Sequence, residues 1–221
     1  DAPAPDSPVL RTFFDLAGGR NGRILLLPAS GDPDGGAAYR QWLTRQGATV
    51  DILAITSRTE ADDPEIAAHL SSVAGLLIIG GSHEPFQALI SDTRLAAAIR
   101  ASNERGVVVA GGGAGAPLLA RHQAPGEPAL EGSDVRPGIG LLDEVMIDRQ
   151  TATHGRIEQL LGALPTHPPL VTFCLKPDTA LVFTPDRLAR VVGTQSVIVI
   201  DGRRATAERH DVAAGTVTPT V

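Results

Sequence analysis

Cysteine occurs once in this 221-residue chain, at Cys174, which excludes an intrachain disulfide and a cysteine-rich metal centre. It sits in the apolar run LVTFC and reads as a small buried hydrophobe rather than a reactive thiol. Lysine also occurs once, at Lys176, against abundant arginine, a pattern of coding rather than of chemistry. Basic charge is in deficit. A net charge of −6 and a pI near 5.5 leave no basic surface for a nucleic-acid backbone. No Lys/Arg cluster or basic helix marks a membrane surface. Long apolar runs are missing too: the longest are of strand length, against the roughly 20 residues of a spanning helix. Metal-ligand spacings such as H-E-x-x-H are absent, so neither a metal nor another cofactor is expected.

What is present is an ordinary globular composition, 43% hydrophobic and 20% charged, long enough for one sizeable core. The opening DAPAPDSP lacks a methionine and is rich in Pro, Ala and Asp. It reads as a flexible tail over residues 1–20, either the remainder of an export signal or simply an end. The expected compartment therefore stays open between cytoplasmic and exported, with the protein soluble. From Arg23 the chain alternates apolar runs with helical patterns. RILLLPAS, TVDILAI, AGLLIIGG and VVVAGG read as buried strands. Between them GGAAYRQWLTRQGA, DDPEIAAHLSS and TRLAAAIRASNERG read as helices, stopped at Gly47 and Gly106 in the first and last cases. The acidic run EADDPE is a solvated helix start. This alternation predicts an α/β fold: a doubly wound, mostly parallel sheet flanked by helices, in three layers.

Residues 123–140 read as a long Pro/Gly-rich loop bordering a site. THGRIEQLLGAL reads as a helix with Ile157, Leu160, Leu161 and Leu164 on one face, and LVTFC, TALVF, ARVVG and SVIVIDG as short C-terminal strands. Residues 21–221 are expected to form one domain.

Ligands of doubly wound sheets collect at the carboxyl ends of the strands. Two such ends stand out: IIGGSHEPF, with Gly80, Gly81, Ser82 and His83, and the glycine turn Gly111-Gly112-Gly113-Ala114-Gly115-Ala116. The turn also scores as G-x-G-x-x-A, close to a dinucleotide fingerprint, but it follows the fourth strand rather than the first. With the segments Asp148-Arg149-Gln150-Thr151, His154-Gly155-Arg156 and Leu175-Lys176-Pro177-Asp178-Thr179-Ala180, the chain resembles the cyanophycinase-like serine peptidases. That family has a class I glutamine amidotransferase-like, flavodoxin-like fold. Its motifs at these four places are G-G-D-Q, G-T-S-A-G-A, D-Q-H-F followed by R-G-R, and I-D-E-D-T-A.

Carried over position by position, the resemblance puts the family's nucleophilic serine at Gly113, its general-base histidine at Gln150 and its acidic partner at Pro177. A hydrolase of this kind needs a hydroxyl, an imidazole and an orienting carboxylate. Glycine, glutamine and proline supply none of them. What the resemblance leaves is a ligand site for a small polar or peptide-like molecule. Its expected members are Gly81, Ser82, His83, Gly112, Gly113, Ala114, Asp148, Arg149, Gln150, His154 and Arg156. Backbone N–H groups near Ala114 and Gly81 are expected to form a carbonyl- or anion-binding nest. Asp148 and Arg156 match family positions associated with a β-aspartyl-arginine substrate, whereas His154 stands where the family has arginine.

The alternative is a repurposed enzyme in which His83, His154, Asp148 and Arg156 supply acid, base and electrostatic roles. His83, Asp148 and His154 are also the types a metal would choose, without its spacing. Ser82 beside His83 is not a relocated nucleophile, because successive residues point apart. His69, His122, His167 and His210 read as solvated. Homodimers are common in the family, and the resemblance implies one here.

Overall fold

The computed structural model describes residues 7–30, 33–80, 83–123, 136–149, 155–163, 170–186, 188–202, 206–211 and 216–217. Its contacts divide the chain into two compact units: Asp1–Leu119 with Gly138–Leu141, and Ala120–Pro137 with Leu142–Val221.

In the first unit the order is α1 (Pro8–Leu16), β1 (Arg23–Pro28), α2 (Ala37–Gln46), β2 (Thr49–Ile52), α3 (Arg58–Ala61) and α4 (Pro64–Ala68). There follow β3 (Gly75–Ile79), α5 (His83–Ile90), α6 (Arg94–Glu104), β4 (Val108–Gly111) and α7 (Gly115–Leu118). The four strands form a wholly parallel sheet in the order β2-β1-β3-β4. Side chains alternate across a strand, so a continuous apolar run feeds both faces. Ile24, Leu26, Leu77 and Ile79 enter one core, with Leu10, Phe13 and Phe14 of α1 and Trp42 and Leu43 of α2. Leu25, Leu27, Leu76 and Ile78 enter the other, with Phe86 and Ile90 of α5 and Leu95 and Ile99 of α6. The chain winds outward from β1 to β2, then returns across β1 to β3 and β4. That reversal places the topological switch between β1 and β3, where Ala29 N–H donates to the Ile79 carbonyl at 2.9 Å.

The start of the chain corrects the sequence reading. Residues 7–16 are not a flexible tail: Pro8 opens α1, the Ser7 hydroxyl accepts from Leu10 N–H, and Leu10, Phe13, Phe14 and Ala17 are buried. Their i, i+3, i+4, i+7 spacing is an apolar stripe, and its burial outweighs the disorder signal of the Pro/Ala/Asp residues before it. Within IIGGSHEPF, β3 ends at Ile79 and α5 begins at His83.

The second unit contains β5 (Ala120–Gln123), β6 (Arg136–Pro137), β7 (Leu142–Asp148), α8 (Arg156–Ala163), β8 (Val171–Leu175), β9 (Thr179–Phe183), β10 (Ala189–Gly193), β11 (Ser196–Asp201), β12 (Thr206–Asp211) and β13 (Thr216–Val217). Six strands form a sheet in the order β12-β11-β8-β7-β5-β6, and β5, β7 and β8 run parallel. Leu160 of α8 packs with Cys174 and Ile200 on one face. On the other, Val171, Phe173 and Val197 pack with Val191 of a second, antiparallel sheet, β13-β10-β9, and Phe173 meets Phe183 edge-on at 5.6 Å. The four short C-terminal strands are thus present, and the fold is α/β with a mostly parallel sheet. Leu161 departs from its expected inward face: it is 37% exposed, because the stripe that packs is Ile157 and Leu160. Leu164 lies outside the described residues. Among the described residues no helix is long and apolar enough to cross a membrane.

Candidate functional site

The glycine turn is built by two close approaches. Gly112 N–H donates to the Ile78 carbonyl of β3 at 2.8 Å, and Gly115 N–H closes back onto the Gly112 carbonyl at 3.0 Å. A Cβ on Gly111 would run into the Gly115 carbonyl and lie 2.8 Å from the Ala116 Cα; one on Gly115 would strike the Ile78 carbonyl. Only glycine fits at either place. Gly113, at the apex, is different. Its φ is +58°, and a Cβ built there meets nothing within 4 Å. The turn therefore has the form that projects one side chain outward from a sharp strand-to-helix corner, and the residue at that point has none.

Ala114 is buried beside the apex, and Ala116 N–H donates to the Gly113 carbonyl at 3.3 Å. The helix that follows is a single turn, so its dipole adds little to an anion site. Gly81 and Ser82 lie outside the described residues, and of His83 only its place at the start of α5 is described.

In the second unit the structure brings together three of the singled-out residues. Asp148 is the last residue of β7 and Arg156 the first of α8. The Arg156 Nε and Nη2 donate to one Asp148 oxygen at 3.0 and 2.6 Å, with the side chains 2% and 4% exposed. A pair this buried holds a strand end to a helix start and is withdrawn from solvent. Cys174 stands opposite Asp148 on β8, fully buried. Burial, reinforced by the Asp148 charge, pushes its thiol from 9.0 up to about 12. It is the inert core residue the sequence implied.

Arg149, one residue past β7, is exposed. Pro177 lies in the exposed turn from β8 to β9, and its carbonyl accepts from Gln195 Nε2 at 3.2 Å. The nearest carboxylate in sequence, Asp178, has φ +49° and accepts from the Thr194 hydroxyl at 3.1 Å. Gln150 and His154 lie outside the described residues. Two features escaped the sequence reading. One is the mutual burial of Asp148 and Arg156, which an eight-residue separation does not advertise. The other is β7 itself, where Asp143 and Glu144 break the apolar run. Among the described residues no group of three or more His, Cys, Asp or Glu is placed to hold a metal.

The model of peptidase family S51 matches residues 5–191. The chain belongs to this family. Among curated relatives it is 30% identical over 202 residues to a cyanophycinase of Trichormus variabilis, covering 87% of this chain and 68% of the relative. It is 31% identical over 207 residues to a cyanophycinase of Synechococcus elongatus, covering 88% and 63%. Among solved structures, a peptidase from an acI-B1 Actinobacterium shares the fold with a TM-score of 0.81 at 20% identity, over 99% of this chain and 94% of that one.

Proposed function

We propose that this S51 member no longer hydrolyses peptides and serves as a binding protein for a small polar or peptide-like ligand. The observation that carries the reading is the apex of the turn: the corner keeps its tight glycines at 111 and 115, and the residue it projects, Gly113, has no atom with which to attack a carbonyl. The two other family positions agree. Gln150 has no proton-accepting group near neutrality, and Pro177 has no carboxylate. The alternative reading, a repurposed enzyme, calls on His83, His154, Asp148 and Arg156 for acid/base and electrostatic work. The pairing and burial of Asp148 and Arg156 favour a positioning role for those two over an acid/base one.

The test is incubation of the pure protein with β-aspartyl-arginine dipeptide and with cyanophycin-like polymer, following released amino groups. No release above buffer is expected, with either substrate. Turnover that a serine-directed inhibitor abolishes would overturn the reading.

A further inference from the structure

We infer that the outer edge of β2, together with α2, forms a docking groove for an extended peptide bearing carboxylate side chains, which adds to the sheet as a strand. It is independent of the glycine turn, which follows β4 at the opposite edge. β2 is outermost in the order β2-β1-β3-β4 and pairs with β1 alone among the described residues. Thr49 N–H donates to the Gly22 carbonyl at 3.1 Å, and Leu53 N–H to the Leu26 carbonyl at 2.9 Å. Main-chain groups alternate sides along a strand, so Asp51 also turns toward β1, and Val50 and Ile52 turn outward. Among the described residues nothing takes up the outward N–H and C=O groups of Val50 and Ile52.

Along this edge runs an open groove of about 700 Å³, between Ala37, Gln41 and Thr44 of α2 and Val50 and Ile52 of β2. A slot between an edge strand and a helix suits an extended peptide: main-chain bonds to the edge give affinity, and alternate side chains read the slot. Charge selects the occupant. Arg40 and Arg45 of α2 belong to the same lining, and α2 carries no acid. Among the described residues neither arginine has a hydrogen-bond or ion-pair partner. Of the two carboxylates in the lining, Asp51 is held by Arg23 at 2.9 Å, an ion pair that cancels. Asp34, in the turn ahead of α2, is the other, and the two arginines outweigh it. The groove is thus locally positive in a chain of net charge −6. A second copy would bring its own arginine-bearing α2 to the same junction, like charge against like. A lone strand with carboxylates at alternate positions answers both the open main-chain groups and the free arginines.

The experiment adds a capped heptapeptide of alternating Glu and Val, or its Lys/Val counterpart, to the full chain. Calorimetry reads affinity, and amide hydrogen exchange reads Val50 and Ile52 directly. Two variants accompany the wild type. Val50→Pro removes an outward donor without breaking a bond to β1. Arg40→Glu with Arg45→Glu reverses the charge at two exposed positions. The Glu/Val peptide is expected to bind the wild type, slow exchange at both amides and lose affinity as salt is raised. The Lys/Val peptide, and each variant with the Glu/Val peptide, should bind about tenfold or more weakly. Matched melting temperatures confirm folding, and the exposed arginine pair carries the test if the proline variant fails to fold. Three results would overturn the inference: no binding of the Glu/Val peptide, equal affinity for the Lys/Val peptide, or unchanged affinity in a folded variant. So would binding that leaves exchange at Val50 and Ile52 unchanged. A free protein that sediments as a dimer, with both amides already protected, would give the edge to a second copy instead.

Discussion

Gly113 concentrates the account in one position, and its environment makes a quantitative contrast with its neighbours. Replacing Gly113 by Ser puts a Cβ into open space at positive φ, which costs about 1–2 kcal/mol of backbone strain. Gly115→Ala meets the Ile78 carbonyl instead and should cost more than about 3 kcal/mol or prevent folding. Denaturant unfolding of the two variants measures the difference. The Ser variant should remain inactive toward β-aspartyl-arginine, because Gln150 and Pro177 still supply no base and no acid.

The Asp148–Arg156 pair gives a second residue-scale test. Arg156→Met takes the ion-pair partner from a buried carboxylate and should destabilise by about 3–5 kcal/mol, while Asp148→Leu with Arg156→Met should recover most of the loss. Urea midpoints of the single and double variants check this. If the two residues contacted ligand and nothing else, Arg156→Met would leave the midpoint unchanged.

Cys174 titrates in a direction that can be worked out. Its folded pKa lies above the unfolded value, so its contribution to stability is fully present below pH 9 and is lost as pH climbs toward 12. A thiol reagent at pH 8 should label it only in denaturant. Labelling of the native protein would contradict its burial.

At the scale of elements, much of the sheet was legible because its strands are uninterrupted apolar runs. Ile24 to Leu27 and Leu76 to Ile79 fill both cores, and nothing but a doubly covered parallel strand explains eight such residues. α1 was not legible in the same way. Prolines and aspartates before Ser7 carry a disorder signal, and the stripe of Leu10, Phe13 and Phe14 becomes decisive only once a sheet face is there to receive it. Phe13→Ala should therefore lower stability by about 3–5 kcal/mol, read as a fall in melting temperature. An unchanged melting temperature would restore the tail reading. β7 was missed for the opposite reason: Asp143 and Glu144 are exposed and hide a strand whose second half, Met146 to Asp148, is buried.

Across the whole molecule, ancestry is shown, and the proposal is that the chemistry has departed from it. The family is written in spaced motifs over most of the chain, and these survive where glycine is needed to fold the turn, at Gly111 and Gly115, and where a charge pair joins strand to helix, at Asp148 and Arg156. The proposed loss of hydrolysis rests on Gly113, Gln150 and Pro177, where the resemblance would place reacting side chains. Of the candidate site, the turn was readable from residue types because small residues at fixed spacing have a steric cause. The fate of Asp148 and Arg156 was not, because a sequence shows that two opposite charges exist and not that they are buried together. Intact mass after exposure to a mechanism-based acylating reagent, one that captures a nucleophilic side chain in a peptidase cleft, tests the central claim most directly. An unmodified mass is expected, and a single stoichiometric adduct on the native protein would contradict the loss of the nucleophile.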